Sequence, residues 1–249
     1  MKDQSKKKSR LDVALVERGL AETRPKAQAM ILAGQVLVNG QKAEKAGTAV
    51  APDAVLDLIG PAMPYVSRGG VKLEGALKDF AVAVSGRVCM DVGSSTGGFV
   101  DCLLQGGAAR VYAIDVSTDQ LAWKLRQDAR VVRIEKNARL LGANDLPERV
   151  EFVAVDLSFI STAKVLGALV PLAQAGADWL ILVKPQFELE RGDVGKGGIV
   201  RDEKLHRKAI HRVQTAAEEL GLIVKGAQPS RLQGAEGNQE FFLHARSPA

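Results

Sequence analysis

Short apolar segments rich in β-branched residues recur along most of the chain, and segments with helical spacing of apolar residues separate them. The short segments are typical of strands buried on both faces, and the helical segments are typical of helices that cover such a sheet. The pattern therefore predicts an α/β domain. The predicted strands are residues 87–92, 110–115, 131–134, 150–156, 179–183, 222–224 and 239–245.

The first sixty residues show a different pattern, with shorter elements. Apolar residues within 11–16 share one face of a helix that Gly19 ends, and Thr23 is a typical N-cap for a second helix. Residues 36–40 then predict a strand that ends in an Asn-Gly turn, and residues 55–59 predict a final strand. These elements indicate a small separate domain.

A glycine-rich turn at residues 93–98 follows the strand 87–92 and opens a helix near Phe99. In doubly wound sheets, the free amides at such a helix start face a bound nucleotide. Asp115 ends the next strand, where such folds hydrogen-bond a ribose. Ser95 stands where a pyrophosphate site needs glycine, so a nucleoside without phosphate is favoured. In the alternative interpretation, Asp115 only caps the following helix and the glycines are plain turn residues.

Four charged residues lie near the same strand ends. Asp156 and Lys184 each follow a predicted strand and point into the ligand crevice, where a charge needs a partner. Lys72 lies on a helix ahead of the first strand, and Glu240 begins the last strand. A free lysine has a pKa of about 10.4, so a lysine acts as a base only where its surroundings disfavour the charge. Otherwise Lys184 only positions a substrate.

Length, composition and charge are compatible with two domains and an anionic partner. The 249 residues, 46% of them hydrophobic, suffice for a sizeable core. No apolar run reaches the length of a membrane span, and the basic N-terminus lacks the apolar region of a signal peptide, so the expected location is cytoplasmic. The net charge of +5 favours a polyanion as partner. Cys89 and Cys102 are predicted to be core residues.

The glycine turn carries the first resemblance to a known family. Asp91-x-Gly93 followed by Gly97-Gly98 resembles the first motif of class I S-adenosylmethionine-dependent methyltransferases. The resemblance implies a Rossmann-like, seven-stranded, mostly parallel sheet with an antiparallel last strand. It also implies S-adenosylmethionine as cofactor, S-adenosylhomocysteine as product, and no metal. The implied cofactor-binding residues are Asp91, Gly93, Ser94, Ser95, Gly97, Gly98, Phe99, Asp115, Val116, Asn137 and Asp156.

The N-terminal segment resembles the RNA-binding domain shared with ribosomal protein S-four, through Arg10-Leu11-Asp12, Gly19-Leu20, Thr23-Arg24 and Val38-Asn39-Gly40. This implies a small α/β domain of the α-L type that meets structured RNA by charge and shape. In the alternative, its arginines form an ordinary solvated helix face. The RNA-binding candidates in the whole chain are Lys6, Arg10, Arg18, Arg24, Lys26, Arg68 and Lys196. The expected boundaries are a basic flexible tail at 1–9, this domain at 10–60, a linker at 61–70 and a methyltransferase domain at 71–249.

Lys72, Asp156, Lys184 and Glu240 match in order the Lys-Asp-Lys-Glu catalytic tetrad of the FtsJ/RrmJ group of ribose 2′-O-methyltransferases. The segments YVSRGG, DLSFIS, LVKPQFE and GNQEFF narrow the resemblance to the TlyA family, whose members are often labelled hemolysins. It implies methylation of a ribose 2′-hydroxyl in ribosomal RNA, with rRNA or ribosomal subunits as partner and no membrane.

Two other functions are considered beside this one. A base-directed methyltransferase that modifies amino nitrogens would have Pro-Pro at Leu157-Ser158, and one that modifies cytosine carbon needs a well-placed cysteine. The chain could also be a non-catalytic RNA-binding assembly factor that keeps S-adenosylmethionine as a structural ligand, although the complete tetrad argues against this. Direct membrane lysis is not supported, because the sequence shows no amphipathic or membrane-spanning segment.

Overall fold

The computed structural model describes residues 8–59, 63–190, 192–234 and 237–249. The chain divides into two compact units, Met1–Ala62 and Met63–Ala249. Within the described ranges, no helix is long and apolar enough to cross a membrane.

The N-terminal unit consists of two short helices and short antiparallel strands. The order is β1 Ser9–Arg10, α1 Leu11–Glu17, α2 Arg24–Leu32, β2 Val36–Val38, β3 Gln41–Lys42, β4 Ala49–Val50 and β5 Leu56–Leu58. Strands β3, β2 and β5 form one sheet, and β1 pairs with β4. Thr23 caps α2, because its hydroxyl oxygen accepts the amide of Lys26 at 3.4 Å. Leu11, Leu15 and Ile31 are buried in a core within this unit.

The C-terminal unit is a seven-stranded sheet with helices on both faces. Its elements are α3 Arg68–Asp79, β6 Val88–Val92, α4 Gly98–Gln105, β7 Arg110–Asp115, α5 Trp123–Arg126, β8 Val131–Glu135, β9 Val150–Val155, α6 Leu166–Leu169, β10 Ala173–Val183, α7 Pro185–Glu188, α8 Glu203–Glu219, β11 Ile223–Pro229 and β12 Phe241–Arg246. The strand order is β11-β12-β10-β9-β6-β7-β8. Strand β12 is antiparallel to both neighbours, whereas the pairs from β10 to β8 are parallel. The predicted fold class is confirmed.

Alternate residues of each central strand enter different cores, because successive side chains of a strand point to opposite faces. In β10, Trp179 and Ile181 join a core that includes residues of α6 and α8. Leu180 and Leu182 join a core on the other face, with residues of α3 and α4. Burial on both faces explains why these strands have continuous apolar sequences.

Several boundaries differ from the prediction, and strand β12 begins at Phe241 where residues 239–245 were predicted. Helix α3 begins at Arg68, so the last residues of the predicted linker 61–70 are helical, and residues 60–62 lie outside the described ranges. The helix expected after Asp115 is only a 3-10 turn, Thr118–Gln120, followed by α5. Strand β10 begins at Ala173 and β11 continues to Pro229. The residues that the structure adds to these two strands are largely polar or small. They belong to the strands only because they lie beside neighbouring strands of the sheet.

Candidate functional site

The carboxyl ends of the parallel strands place the predicted site residues at one edge of the sheet. Asp115 ends β7, Asp156 follows β9 and Lys184 follows β10. Because β12 is antiparallel, its first residue Phe241 pairs with Val183, the last residue of β10. Glu240, directly before β12, therefore lies at this edge as well.

The four tetrad residues form two ion pairs. Lys72 Nζ lies 2.5 Å from Glu240 Oε2, and both side chains are buried. Lys184 Nζ lies 2.5 Å from Asp156 Oδ1 and donates a hydrogen bond to Ser158 Oγ at 2.9 Å. Lys72 and Asp156 both line one cavity, so residues from both pairs meet there. Each lysine has a carboxylate partner, as partly buried charges require.

A cavity of 190 Å³, called here the first cavity, lies at this edge. Its lining residues are Ser67, Arg68, Gly69, Lys72, Asp91, Gly93, Ser94, Ser95, Thr96, Gly98, Phe99 and Asp156. The second cavity, of 480 Å³, shares Gly93, Ser95 and Asp156 with it. Asp115, Val116, Asn137, Leu157, Ser158 and Phe159 also line the second cavity. All predicted cofactor residues except Gly97 thus line one or both cavities.

Asp91 is the most unusual carboxyl group of the site. It is fully buried in β6, and neither of its oxygens accepts a well-formed hydrogen bond from the described residues, although the nearby backbone amide of Val100 favours its charged form to a small extent. Burial, and then the nearby charges of Asp156 and Asp115, raise the pKa of Asp91 well above its ordinary value. This environment disfavours a lone negative charge and suits a cationic ligand group beside the carboxyl.

Asp115 connects the glycine turn to strand β7. Its carboxylate accepts the amide of Ser95 at 2.9 Å and that of Ser117 at 3.2 Å. The second contact matches part of the capping alternative, in which Asp115 orders the backbone after its strand. Asp115 also lines the second cavity. The residue therefore both stabilises the neighbouring backbone and faces the proposed ligand site.

Two glycines of the turn are required by close packing. Gly93 has φ of 91°, and a Cβ atom there would lie 2.1 Å from the carbonyl oxygen of Asp156. Gly97 has φ of 94°, and a Cβ atom there would lie 2.3 Å from Leu125. Gly97 is not among the described residues that line the two cavities, so its place in the motif reflects packing against the chain's own side chains.

Several residues at the site were not assigned from the sequence. Ser158 binds Lys184, and Phe159 lines the second cavity with a side chain that is 92% exposed. Phe159 has φ of 65°, and its ring centroid lies 5.3 Å from that of Phe187. The motif that contains Ser158 and Phe159 was noted in the sequence, but its pattern indicates no partner for either side chain. Glu188, buried after Lys184, was also unassigned.

The predicted RNA-binding residues of the N-terminal unit already have protein partners. Buried Asp12 accepts hydrogen bonds from Arg10, Arg24 and Gln28. The side chains of Arg10 and Arg24 nevertheless remain about half exposed, at 52% and 54%. The pair is therefore held in place by Asp12 while its outer side stays open to a ligand.

The remaining predicted RNA-binding residues have different environments. Arg18 donates to the carbonyl oxygens of residues 51, 52 and 54, so it supports the fold of its own unit. Lys26 forms an ion pair with Glu22 at 3.2 Å. Arg68 is exposed and donates to the carbonyl of residue 233 at 2.9 Å. Lys6 and the side chain of Lys196 lie outside the described residues.

The strand order gives the fold that a solved S-adenosylmethionine-dependent methyltransferase of low sequence identity shares, and the two cavities lie at the carboxyl ends of β6 and β9, where the strand order switches. Residues 65–247 match the family model of FtsJ-like methyltransferases, and residues 9–56 match that of the S4 domain. The chain belongs to the FtsJ-like methyltransferase family. S-adenosylmethionine is the methyl donor of this class.

Individual relatives extend over nearly the whole chain. The chain is 48% identical to the 16S/23S rRNA (cytidine-2′-O)-methyltransferase TlyA of Mycobacterium tuberculosis, with 97% of this chain and 91% of the relative covered. It is 41% identical to Hemolysin A of Brachyspira hyodysenteriae, covering 94% and 98%. A solved structure from Streptococcus thermophilus, named as a hemolysin, superposes with a TM-score of 0.77 at 42% identity, covering 98% and 90%. The predicted relationship to TlyA and the hemolysins is confirmed.

Proposed function

We propose that the chain transfers a methyl group from S-adenosylmethionine to a ribose 2′-hydroxyl of ribosomal RNA. The proposal rests on one observation: two ion pairs, Lys72–Glu240 and Lys184–Asp156, lie beside the first cavity, which Asp91 also lines. The named activity of the mycobacterial relative, on cytidine 2′-oxygen of rRNA, supports the ribose as acceptor.

The two cavities fit the proposed cofactor. Asp91 accepts no well-formed hydrogen bond from the described residues, and an ammonium group such as that of the cofactor's methionine part would donate one. Asp115, Val116 and Asn137 line the second cavity, where they can hold the nucleoside part. The ammonium group would then neutralise the Asp91 carboxylate, which would otherwise bind a proton.

The chemistry divides between the cofactor and the chain. The cofactor supplies a methyl carbon attached to a positively charged sulfur. Lys184 Nζ holds the ribose 2′-oxygen and, in its amine form, accepts the hydroxyl proton. Asp156 and Ser158 orient this lysine, and the Lys72–Glu240 pair forms another part of the same edge. Alignment of the hydroxyl with the methyl carbon provides much of the rate.

RNA binding is proposed for the S4 domain together with Arg68. Arg10 and Arg24 present half-exposed guanidinium groups, and these bind phosphates by charge and by bidentate hydrogen bonds. The proposed partner is rRNA or a ribosomal subunit, and the proposed location is the cytoplasm, where that substrate occurs.

The cysteine environments argue against a base methyltransferase that uses a thiolate. Burial raises the pKa of Cys89 and of Cys102 to about 12. Both thiols therefore remain protonated at neutral pH, and neither residue lines the two cavities.

Transfer of labelled methyl groups to purified ribosomal subunits and bare rRNA tests the function. We expect Lys184→Ala to lower the rate by about a hundredfold or more, because it removes the group that holds and deprotonates the hydroxyl. Lys78→Ala is the matched control, since Lys78 is 62% exposed and pairs with Glu74. Mapping of alkali-resistant linkages then locates the modified ribose. Label on a base would overturn the ribose assignment, and tight RNA binding without transfer would favour the assembly-factor function.

The pH dependence of the single-turnover rate tests the proton step. Only the amine form of a lysine can accept a proton, so we expect the rate to rise with pH through one ionisation. Lys72→Ala should displace this ionisation, because it removes a nearby positive charge. A rate independent of pH would show that Lys184 positions the hydroxyl without taking its proton.

A further inference from the structure

Two loops at the strand ends carry the Lys184 side of the site. The β9 loop is residues 156–161, and the segment called here the β10 loop is residues 184–189, which contains the one-turn helix α7. Strand pairing positions their first residues, because Val155, directly before the β9 loop, pairs with Ile181, and Val183, directly before the β10 loop, pairs with Phe241. Ser158 and Phe159 lie beyond the last paired residues of the sheet, so contacts outside it must hold them.

Glu188 of the β10 loop joins the far end of the β9 loop. Its Oε2 atom accepts a hydrogen bond from Ser161 Oγ at 2.6 Å, and its Oε1 atom accepts one from the Thr162 amide at 2.6 Å. Glu188 is only 1% exposed, and the guanidinium of Arg212 donates to its carbonyl oxygen at 2.8 Å. The carboxyl group is thus fixed from both its backbone and its side chain.

The position of Glu188 has a clear physical basis. Thr162 is the first residue of a 3-10 turn, Thr162–Lys164, and the first amides of such a turn have no partner within it. Glu188, which lies in the β10 loop, accepts a hydrogen bond from one of these amides. An unpaired buried amide would be costly, so this contact determines where the β9 loop ends.

The β9 loop also contains an uncommon backbone conformation. Phe159 has φ of 65°, in the left-handed region that residues with side chains seldom adopt. Such a conformation is strained and persists only where surrounding contacts hold it. Glu188 binds one end of the loop, Lys184 binds Ser158, and the rings of Phe159 and Phe187 contact between them.

We infer that Glu188 is a positioning residue, which holds the β9 loop so that Ser158 is fixed against Lys184 Nζ. It acts through the loop and does not touch the substrate. The inference rests on the proposed function, because its consequence is a faster methyl transfer. Residues 156–160 of the β9 loop also line the second cavity, so loss of Glu188 should affect both catalysis and cofactor affinity.

The first test compares Glu188→Ala with Glu188→Gln. We expect Glu188→Ala to lower kcat about tenfold or more and also to raise the cofactor Kd, since the loop that Glu188 holds both aligns Lys184 for the chemical step and lines the second cavity. Glutamine can accept the Thr162 amide through Oε1, and its Nε2 can donate to Ser161 Oγ, because a hydroxyl both donates and accepts. Glu188→Gln should therefore recover most of the lost kcat.

The matched control is Glu151→Ala. Glu151 lies near the start of β9, away from the two loops, and accepts the amide of Val88 at 2.9 Å. Its loss removes a partly buried contact between a carboxylate and an amide that involves strand β9 but neither of the two loops. If both alanine variants lower kcat equally, the effect belongs to general destabilisation and the inference is overturned.

A double-mutant cycle identifies the path through Ser158. If Glu188 acts by fixing Ser158, the variant with both Ser158→Ala and Glu188→Ala should have a kcat close to that of the poorer single variant. Independent multiplication of the two losses would show that Glu188 acts by another route.

Hydrogen exchange separates this inference from the proposed function. We expect Glu188→Ala to increase exchange of the amides in 157–162 relative to the wild type and Glu188→Gln, whether or not rRNA is methylated. Absence of methylation by the wild type would overturn the function, while unchanged exchange in Glu188→Ala would overturn the role of Glu188. A folded Glu188→Ala enzyme with wild-type kcat would also overturn it.

Discussion

At the residue scale, burial without a partner distinguishes Asp91 from the other carboxylates at the strand ends. Asp115 accepts two backbone amides and Asp156 pairs with Lys184, whereas Asp91 accepts no well-formed hydrogen bond from the described residues. Sequence position predicted all three as cofactor residues. Only Asp91 is in surroundings that disfavour its negative charge so strongly.

Asp91→Asn should therefore alter stability and cofactor binding in opposite directions. Since folding raises the pKa of Asp91, the folded state retains a proton that the unfolded state loses. Without cofactor, this group lowers stability as pH rises from the ordinary carboxyl pKa towards the raised one. Asparagine removes that decline, so thermal unfolding from pH 5 to 8 should depend less on pH. Calorimetry should show S-adenosylmethionine affinity reduced by about tenfold or more.

The control for Asp91→Asn is Asp128→Asn, which changes a carboxylate that pairs with Arg130 away from the cavities. It should leave cofactor affinity unchanged. An unaltered affinity in Asp91→Asn would remove Asp91 from the proposed cofactor site.

At the element scale, the site depends on how the ends of strands and helices approach each other. The antiparallel direction of β12 brings Glu240 to the edge where the parallel strands end. Helix α4 begins directly after Gly97, whose α-carbon packs under Leu121 and Leu125. The glycine turn therefore lets Leu121 and Leu125 pack closely at the point where the strand is joined to helix α4, and a side chain at position 97 would prevent this packing.

Gly97→Ala and Gly221→Ala separate backbone strain from this packing. The two positions have similar φ values, 94° and 85°, but no described atom lies within 4 Å of a Cβ atom at Gly221. We expect Gly221→Ala to lower the free energy of unfolding by about 1 kcal/mol through strain. Gly97→Ala should cost roughly 1–3 kcal/mol more, because Leu121 and Leu125 must shift. Urea unfolding measures both, and equal losses would contradict the packing explanation.

At the scale of the whole molecule, the proposed RNA contacts lie mainly in the N-terminal unit, with Arg68 as the exception, and the proposed methyl transfer lies in the C-terminal unit. The N-terminal unit has its own core and a pair of arginines arranged around Asp12. The C-terminal unit contains both cavities and the tetrad. Substitutions in one unit should therefore change different measured quantities from substitutions in the other.

Arg24→Ala should weaken rRNA binding while leaving S-adenosylmethionine affinity unchanged. The loss of one phosphate contact should reduce the slope of log affinity against log salt by about 1. Lys184→Ala should have the opposite profile, with methyl transfer lost and rRNA affinity retained. Arg207→Ala, at an exposed position on α8, controls for the loss of a positive charge. An equal loss of rRNA affinity in Arg24→Ala and Arg207→Ala would exclude a specific role for Arg24.

Local pattern was sufficient to predict much of the fold. Apolar strands that are buried on both faces can be recognised from the local sequence without tertiary information. Residues 110–115, for example, were predicted with the bounds that the structure shows. The short helix α5 was harder to predict, because four residues carry little periodic signal. Likewise, the start of β10 consists of small or polar residues, and its pairing with β9 is interrupted between Ala173 and Asp178, so no local apolar pattern marks it as a strand.

The sequence by itself determined the α/β class, the family relationship and the residue types at the strand ends, because these follow from local periodicity and motif spacing. Tertiary structure alone decided which groups meet: Lys72 with Glu240, Glu188 with Ser161, and Asp12 with two arginines. The first of these pairs is separated by 168 positions along the chain. Such contacts depend on packing and burial in three dimensions, which no local pattern records.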